Sequence, residues 1–395
     1  AMTASRTDAF ASRAAIVWGL LAGLGSLTSC AAEGKATATQ EVPSEVPVPP
    51  PPATNDAGVA DAASCDDCAF FRPTCEAANF CPVAGVDIAA PLVLSDLAGT
   101  SATNVWASGA RGLLLHYDGA AWSTIKGPDG SLAQIVSRTE TDVLTASMLS
   151  QIFIRPEGVD APWPTARLVP LLSDGNVNGM WSSAGATWTW LAVQIYSTES
   201  TLNIKRIRKT ATAYRYEEPI HCGGICDSFR KLPFMDIHGS SKDDVWAVGQ
   251  MGIAYRISDA DADRPSAEVY DSRTYATLHG VWTSGPDDAW AVGSGGTIRH
   301  YTGSADRRFE VVSSPVATTL RAIAGSSKTD VWAVGDGGVI LHYDGAAWSR
   351  VPLGGVRGRP DLHAVWAASP TQVWAAGDGV LLELSLAGAT TGGGS

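Results

Sequence analysis

The sequence predicts an all-β structure of short sheets arranged radially, and three observations predict it. A pattern recurs with a period of roughly 40 residues, the signature of stacked or ring-closed units each too small to bury a core alone. Turn residues recur at fixed places inside the pattern. One segment of each copy, Val-Trp-Ala-Val, is apolar on both faces, as expected of a strand covered by a neighbouring sheet on either side. Four-stranded units of this length set around an axis make a β-propeller.

The copies begin near Leu94, Leu132, Val177, Met235, Leu278, Leu320 and Leu362. Trp246, Trp290, Trp332 and Trp374 of the second segment stand 44, 42 and 42 residues apart, so the register is tight in the second half. Copy two carries Leu144 at that place, and copy three is degenerate, with Trp188 or Trp190. In the sixth copy the predicted strands are Leu320 to Ala324, Val331 to Val334, Val339 to Tyr343 and Trp348 to Leu353. Gly335-Asp336-Gly337-Gly338 and Asp344-Gly345 supply the positive φ of tight hairpins. The expected fold is therefore a seven-bladed β-propeller of four-stranded blades over residues 83–386. The last copy stops after Val380 to Leu384. A strand at Val86 to Leu92 is expected to complete it, closing the ring by pairing the two ends of the propeller.

The segments before the repeats read differently. Arg6 and Arg13 precede a short apolar stretch, Ala14 to Gly25, too short to span a bilayer and suited to a signal peptide over residues 1–30. Residues 31–64 are rich in Pro, Ala, Glu and Thr and cannot bury a core, so they read as a disordered tether reaching about 100 Å if extended at ~3.1 Å per residue. Residues 65–82 hold four Cys and read as a disulfide cap whose Phe70 and Phe71 pack on the main domain. Residues 387–395 read as a flexible tail. Beyond Cys30, six Cys remain (Cys65, Cys68, Cys75, Cys81, Cys222 and Cys226), an even set that reads as disulfides of open connectivity in an exported chain.

Two resemblances add to this. Leu27-Thr28-Ser29-Cys30 resembles a bacterial lipobox, which implies lipidation of Cys30; with Ala31 following, it implies sorting to the outer membrane. The copies of Val-Trp-Ala-Val-Gly followed by His-Tyr-Asp-Gly-x-x-Trp resemble surface lipoprotein propellers of the myxobacterial type. They are also similar to Asp-box propellers, which include sialidases and photosystem assembly factors. Asp118-Gly119-Ala120-Ala121-Trp122 keeps only part of the Asp-box, a folding device in that family.

Chemistry is sparse. His116, His300 and His342 share one repeat position, and His279 and His363 share another, which suits structural roles. The first strands are rich in Leu, Val, Ala and His, with few carboxylates or Arg beyond Arg321, so no catalytic constellation is read and no enzyme is expected. A sialidase-like glycosidase is the alternative. The net charge of −12 opposes nucleic-acid binding. Asp259, Asp261 and Asp263 alternate as in a Ca²⁺ loop but lack its Gly and Glu; Ca²⁺ is the one cofactor considered, against a solvated hairpin tip. The third copy carries a basic stripe, Lys205, Arg206, Arg208 and Lys209, and an insertion with His221, Arg230 and Lys231. This reads either as a recognition surface for a protein or acidic glycan, or as charges that keep an outer strand from pairing. The expected function is a lipid-anchored, non-enzymatic protein-binding scaffold of the cell envelope, periplasmic or surface-exposed. A carbohydrate-binding propeller is the alternative.

Overall fold

In a computed structural model, the described residues are 67–88, 91–148, 151–156, 162–165, 168–169, 175–195, 203–210, 214–220 and 232–385. The expected signal, tether and tail, with Cys30, Cys65, His221, Cys222, Cys226, Arg230 and Lys231, lie outside them.

The described strands form seven sheets, whose first strands are Leu94–Ser101, Leu132–Ser137, Gly175–Trp181, Phe234–Ser241, Leu278–Gly285, Leu320–Ser327 and Leu362–Ser369. Each first strand packs on the next, and the last packs on Leu94–Ser101, so the arrangement is circular. The expectation of seven four-stranded blades needs correction. Six sheets contain four or more strands, whereas the second contains three, Leu132–Ser137, Val143–Ser147 and Ile152–Ile154. Thr165 makes one isolated bridge to Phe153 where a fourth strand was expected. The fourth repeat starts at Phe234 rather than Met235, because Phe234 takes the fully buried place opposite Gly249 that Leu320 takes opposite Gly335.

The repeated residues are explained by packing. Asp330–Gly335 is buried throughout its length, between the sheets on either side. Gly335 ends this strand because a Cβ there would collide with the Thr319 carbonyl oxygen, and Gly109, Gly249, Gly293 and Gly377 meet the same obstacle. The His before each Tyr is structural. His342 stacks on Trp332 with ring centroids 4.0 Å apart, and its Nε2 lies 2.8 Å from Asp330 Oδ1. Trp332 Nε1 donates to that oxygen too, at 3.2 Å. His300, Trp290 and Asp288 repeat the stack and the His–Asp contact; His116 and Trp106 do so with Asn104 in the Asp position. The Asp-Gly-Ala-Ala turns are fixed by their own carboxylates: Asp344 Oδ1 accepts the amides of Ala346 and Ala347, both at 2.9 Å. Those amides hold the Asp344 carboxyl below its ordinary value.

An N-terminal strand does complete the last sheet, but not the one expected. Phe80–Pro82 pairs antiparallel with Val380–Leu384, in the register Phe80 to Leu384 and Pro82 to Leu382. Within the expected strand, Val86 to Ile88 and Pro91 to Leu92 are packed connector instead. Gly85 turns the chain at φ 76°, Pro91 lacks the N–H of a ladder residue, and Val86, Ile88 and Leu92 pack between the seventh and first sheets. Beyond Phe80–Pro82 lie Leu353–Gly354 and Phe71–Arg72, both in parallel pairing. The strand expected from Trp348 to Leu353 is thus split: Trp348–Arg350 stays in the sixth sheet and Leu353–Gly354 crosses to the seventh. Phe70 and Phe71 do pack on this edge. The Arg350 guanidinium lies 4.4 Å from the Phe70 ring, and Asp67 pairs with Arg350 and Arg359 at 2.6 and 2.8 Å. Cys75 and Cys81 form a disulfide, and Cys68 is also disulfide-bonded.

The closing strand is anchored by Phe80, which is fully buried and meets Trp332 edge-on at 5.5 Å. Phe80→Ala is expected to cost about 3–5 kcal/mol in equilibrium denaturation. Val86→Ala, in the half-buried connector, is expected to cost about 1 kcal/mol. Equal losses would return the closing role to Val86–Leu92.

Candidate functional site

The first strands surround a central channel of about 330 Å³ that residues of all seven line. Most of these strands shift register just after their leading apolar residue, as between Leu94 and Asp96 or Leu320 and Ala322. The bulge lets two successive residues of a strand approach the lumen. The lining therefore falls into levels that can be compared from sheet to sheet.

At the rim, immediately after the leading residue, stand Ser95, Ala133, Asn178, Met235, His279, Arg321 and His363. Four consecutive sheets thus offer small, amide or thioether side chains, and the next three offer His, Arg and His. Each member of the second group is held by the turn after the second strand of its own sheet. His279 Nε2 lies 2.9 Å from Ser294 Oγ, Arg321 Nε donates to Asp336 Oδ1, and His363 Nε2 lies 2.8 Å from Asp378 Oδ1. Burial, with the charge of Arg321 beside it, lowers the pKa of His279.

One residue deeper are Asp96 and Asp236, which sequence reasoning missed. Each carboxylate bridges two sheets. Asp96 accepts the amides of Leu97 and, from the second sheet, Ile135; Asp236 accepts those of Ile237 and, from the fifth, Val281, all at 2.8 Å. Both border the lumen, yet protein surrounds them. Desolvation pushes Asp96 up to about 7 and Asp236 up to about 6, against the opposing pull of the amides. The signal that would have found them is positional: both stand two residues after the leading apolar residue, where Gly280, Ala322 and Ala364 stand elsewhere.

The far level is aromatic. Trp181, Trp282 and Trp366 lie over Gly239, Gly325 and Gly99 of the following sheets. His238 sits between two of them, its ring 5.9 Å from Trp181 and 6.4 Å from Trp282. Its Nδ1 accepts the Thr283 amide at 3.3 Å, and burial pulls its pKa down to about 4. The ring is thus neutral at pH 7, with Nδ1 as the acceptor.

The other expected site residues do not gather here. Lys205 and Arg206 are fully buried, which removes them from an exposed basic stripe. Lys205 pairs with Glu218 at 2.7 Å. Arg206 reaches the neighbouring hairpin, donating to the carbonyls of Ala262 (2.7 Å), Asp263 (2.9 Å) and Ala260 (3.3 Å), pairs with Glu217 at 3.1 Å and lies 3.8 Å over the Trp188 ring. Burial lowers the pKa of both cations, with their Glu partners opposing. Arg208 is half-buried over Trp188, and Lys209 alone of the four is exposed. The structure does not bring Asp259, Asp261 and Asp263 together into a metal-holding group among the described residues. Asp261 instead accepts the amides of Thr187 (2.7 Å) and Trp188 (3.2 Å), which fastens the third sheet to the fourth.

No protein-family profile matches this sequence, and no curated protein sequence matches it. Among solved structures the chain is similar to YCF48 bound to a D1 peptide, at 15% identity and a TM-score of 0.57 over 80% of this chain and 99% of that one. It is similar to YCF48 from Cyanidioschyzon merolae at 15% identity and a TM-score of 0.58, covering 78% and 98%. It is also similar to the WD40 β-propeller domain of Doa1, at 9% identity and a TM-score of 0.58 over 78% and 96%. These likenesses establish a β-propeller fold.

Two outcomes follow from the buried charges. Arg206→Ala takes the guanidinium donors from three carbonyls and leaves Glu217 to Arg215 alone, and is expected to cost about 2–4 kcal/mol in denaturation, whereas Lys209→Ala stays within about 0.5 kcal/mol. His238 titrates at about 4 when folded but near 6.5 when unfolded. Between these values the unfolded chain binds the extra proton, so this residue's contribution is lost as pH falls from about 6.5 to about 4. His238→Asn keeps an acceptor for Thr283 and is expected to remove up to about 3 kcal/mol of acid destabilisation. Parallel stability curves for the two proteins would refute the assignment.

Proposed function

We propose that this chain is a non-enzymatic protein-binding scaffold whose partner engages the face carrying the channel rim. We further propose that a lipid on Cys30 holds it to the outer membrane of the cell envelope, with residues 31–64 as spacer. The observation that carries the binding face is the break in the repeat at the rim. Residues required by the fold recur from sheet to sheet, as Gly335 and Trp332 do. The rim positions vary from sheet to sheet, with only the His of the fifth and seventh sheets repeated, and three consecutive ones carry side chains oriented by dedicated partners. Exposed apolar side chains lie on the same face. Met251 (55% exposed) sits in the turn after Asp244–Gly249, and Tyr275 (84% exposed) sits in the connector leading to His279. Met251 also holds φ 57°, where Gly337 stands in the sixth sheet. Arg111 holds the same place in the first sheet at φ 56°, so two of these turns carry a side chain where glycine would be unstrained. YCF48, a similar propeller, has been solved with a D1 peptide bound, which supports a polypeptide ligand.

Site-specific photocrosslinking of the full-length protein in its own cells tests this. A crosslinker at Tyr275 is expected to capture one abundant protein, and one at Thr329, in the turn at the opposite end of the strands, is expected not to. Equal capture from both positions, or none from Tyr275, would count against the reading. Retention on a polysaccharide column instead would favour a glycan ligand.

A further inference from the structure

The three rim side chains of the fifth to seventh sheets form a continuous polar arc on a mouth of about 330 Å³ that Gln134, Met148, Asn176, Asn178 and Met235 also line. Only Nε of Arg321 is engaged, by Asp336, so among the described residues its Nη1 and Nη2 carry no partner. Likewise His279 and His363 use Nε2 alone, on Ser294 and Asp378. The turn residues thus orient all three side chains through one nitrogen each: Arg321 keeps its outer N–H groups as donors, and each imidazole keeps Nδ1, whose role follows the tautomer. A guanidinium held through Nε presents its outer nitrogens as a fork that matches a carboxylate.

Charge decides which anion fits. Asp336 and Asp378 outnumber Arg321, the one fixed cation of the arc, so the arc has no surplus positive charge for a doubly charged phosphate, and recognition falls to the paired outer N–H groups of the Arg321 fork, which match a carboxylate. Met148 and Met235 on the same mouth suit the apolar flank of a peptide better than a free inorganic ion. We propose that His279, Arg321 and His363 form a carboxylate-binding site that grips an acidic group of the protein ligand, a chain end or an Asp or Glu side chain. This rests on the scaffold reading and gives the partner its chemistry: a segment that places a carboxylate at the rim beside apolar residues.

The test uses the full-length protein with labelled histidine and follows the ring resonances of His279 and His363 by NMR. The probes are N-acetylglycine for a chain end, glutamic acid blocked at its amino and α-carboxyl groups for a side chain, and N-acetylglycinamide as the neutral control. Saturable shifts are expected with at least one acid in the millimolar range and none with the amide, and the tighter acid identifies the source. Arg321→Gln is expected to weaken binding at least tenfold while the resonances of His300 and His342, locked inside the sheets, stay in place. Arg321→Lys, which keeps the charge but loses the fork, should weaken it several-fold. Equal shifts with acid and amide, no saturation with either acid, or unchanged affinity in Arg321→Gln would overturn the proposal. If Tyr275 captures a protein while the acids do not bind, the carboxylate site fails and the scaffold stands. If the acids bind while no protein is captured, the scaffold reading fails by itself.

Discussion

Three residues, Phe80 to Pro82, supply the contact on which the rest of the ring depends. Without them the seventh sheet would end in an open edge at Val380–Leu384, and an unpaired strand edge is a site for aggregation. Their pairing also fixes the seventh sheet beside the first. Trp366 can then lie over Gly99, and Trp374 can meet Tyr117 at 5.2 Å and Trp122 at 6.0 Å. The same closure brings His363 into the arc with Arg321 and His279. The strand is short, and its neighbours compensate: Leu353–Gly354 crosses from the sixth sheet to flank it, and the Cys75–Cys81 disulfide ties its base.

Cohesion between sheets elsewhere is polar as well as apolar. Asp96 and Asp236 each take one amide from their own strand and one from a neighbouring first strand, and His238 takes a third such amide from Thr283. On the outside, Arg206 and Asp261 sew the third sheet to the fourth, replacing the regular repeat where the third copy is most degenerate. Buried charges of this kind cost desolvation and are tolerated because nearly every donor finds an acceptor. A basic run in a sequence is therefore no guide to a basic surface when alternate residues of the strand face packed neighbours.

A propeller separates its tasks by position along the strand. The second strands and the turns that follow carry the repeated Trp, Ala, Val and Gly, because each must fit between two sheets. The rim of the first strands has solvent on one side and is released from that demand. Differences between copies collect there, and they divide the mouth into a part lined by small, amide and thioether side chains and a part whose His, Arg and His are each held by a turn of their own sheet. The two carboxylates just below lie in a desolvated channel that raises their pKa toward neutrality, so the lumen carries less negative charge than its composition suggests.

The sequence by itself determined the repeat, the four-strand unit, the structural standing of His116, His300 and His342, and the need for an N-terminal strand to complete the last sheet. These follow from local rules: periodicity, turn residues and apolar patterning each act within one copy. Only the tertiary structure decided which segment closes the ring, because Phe80–Pro82 and Val86–Leu92 are both short apolar runs, and the choice depends on Trp332 and Leu384, about 250 and 300 residues away. It also decided that the second sheet keeps three strands, that Lys205 and Arg206 are buried, and that Asp96, Asp236, His279, Arg321 and His363 share one channel. Those residues come from different copies, and no pattern within a copy records which side chains meet across the axis.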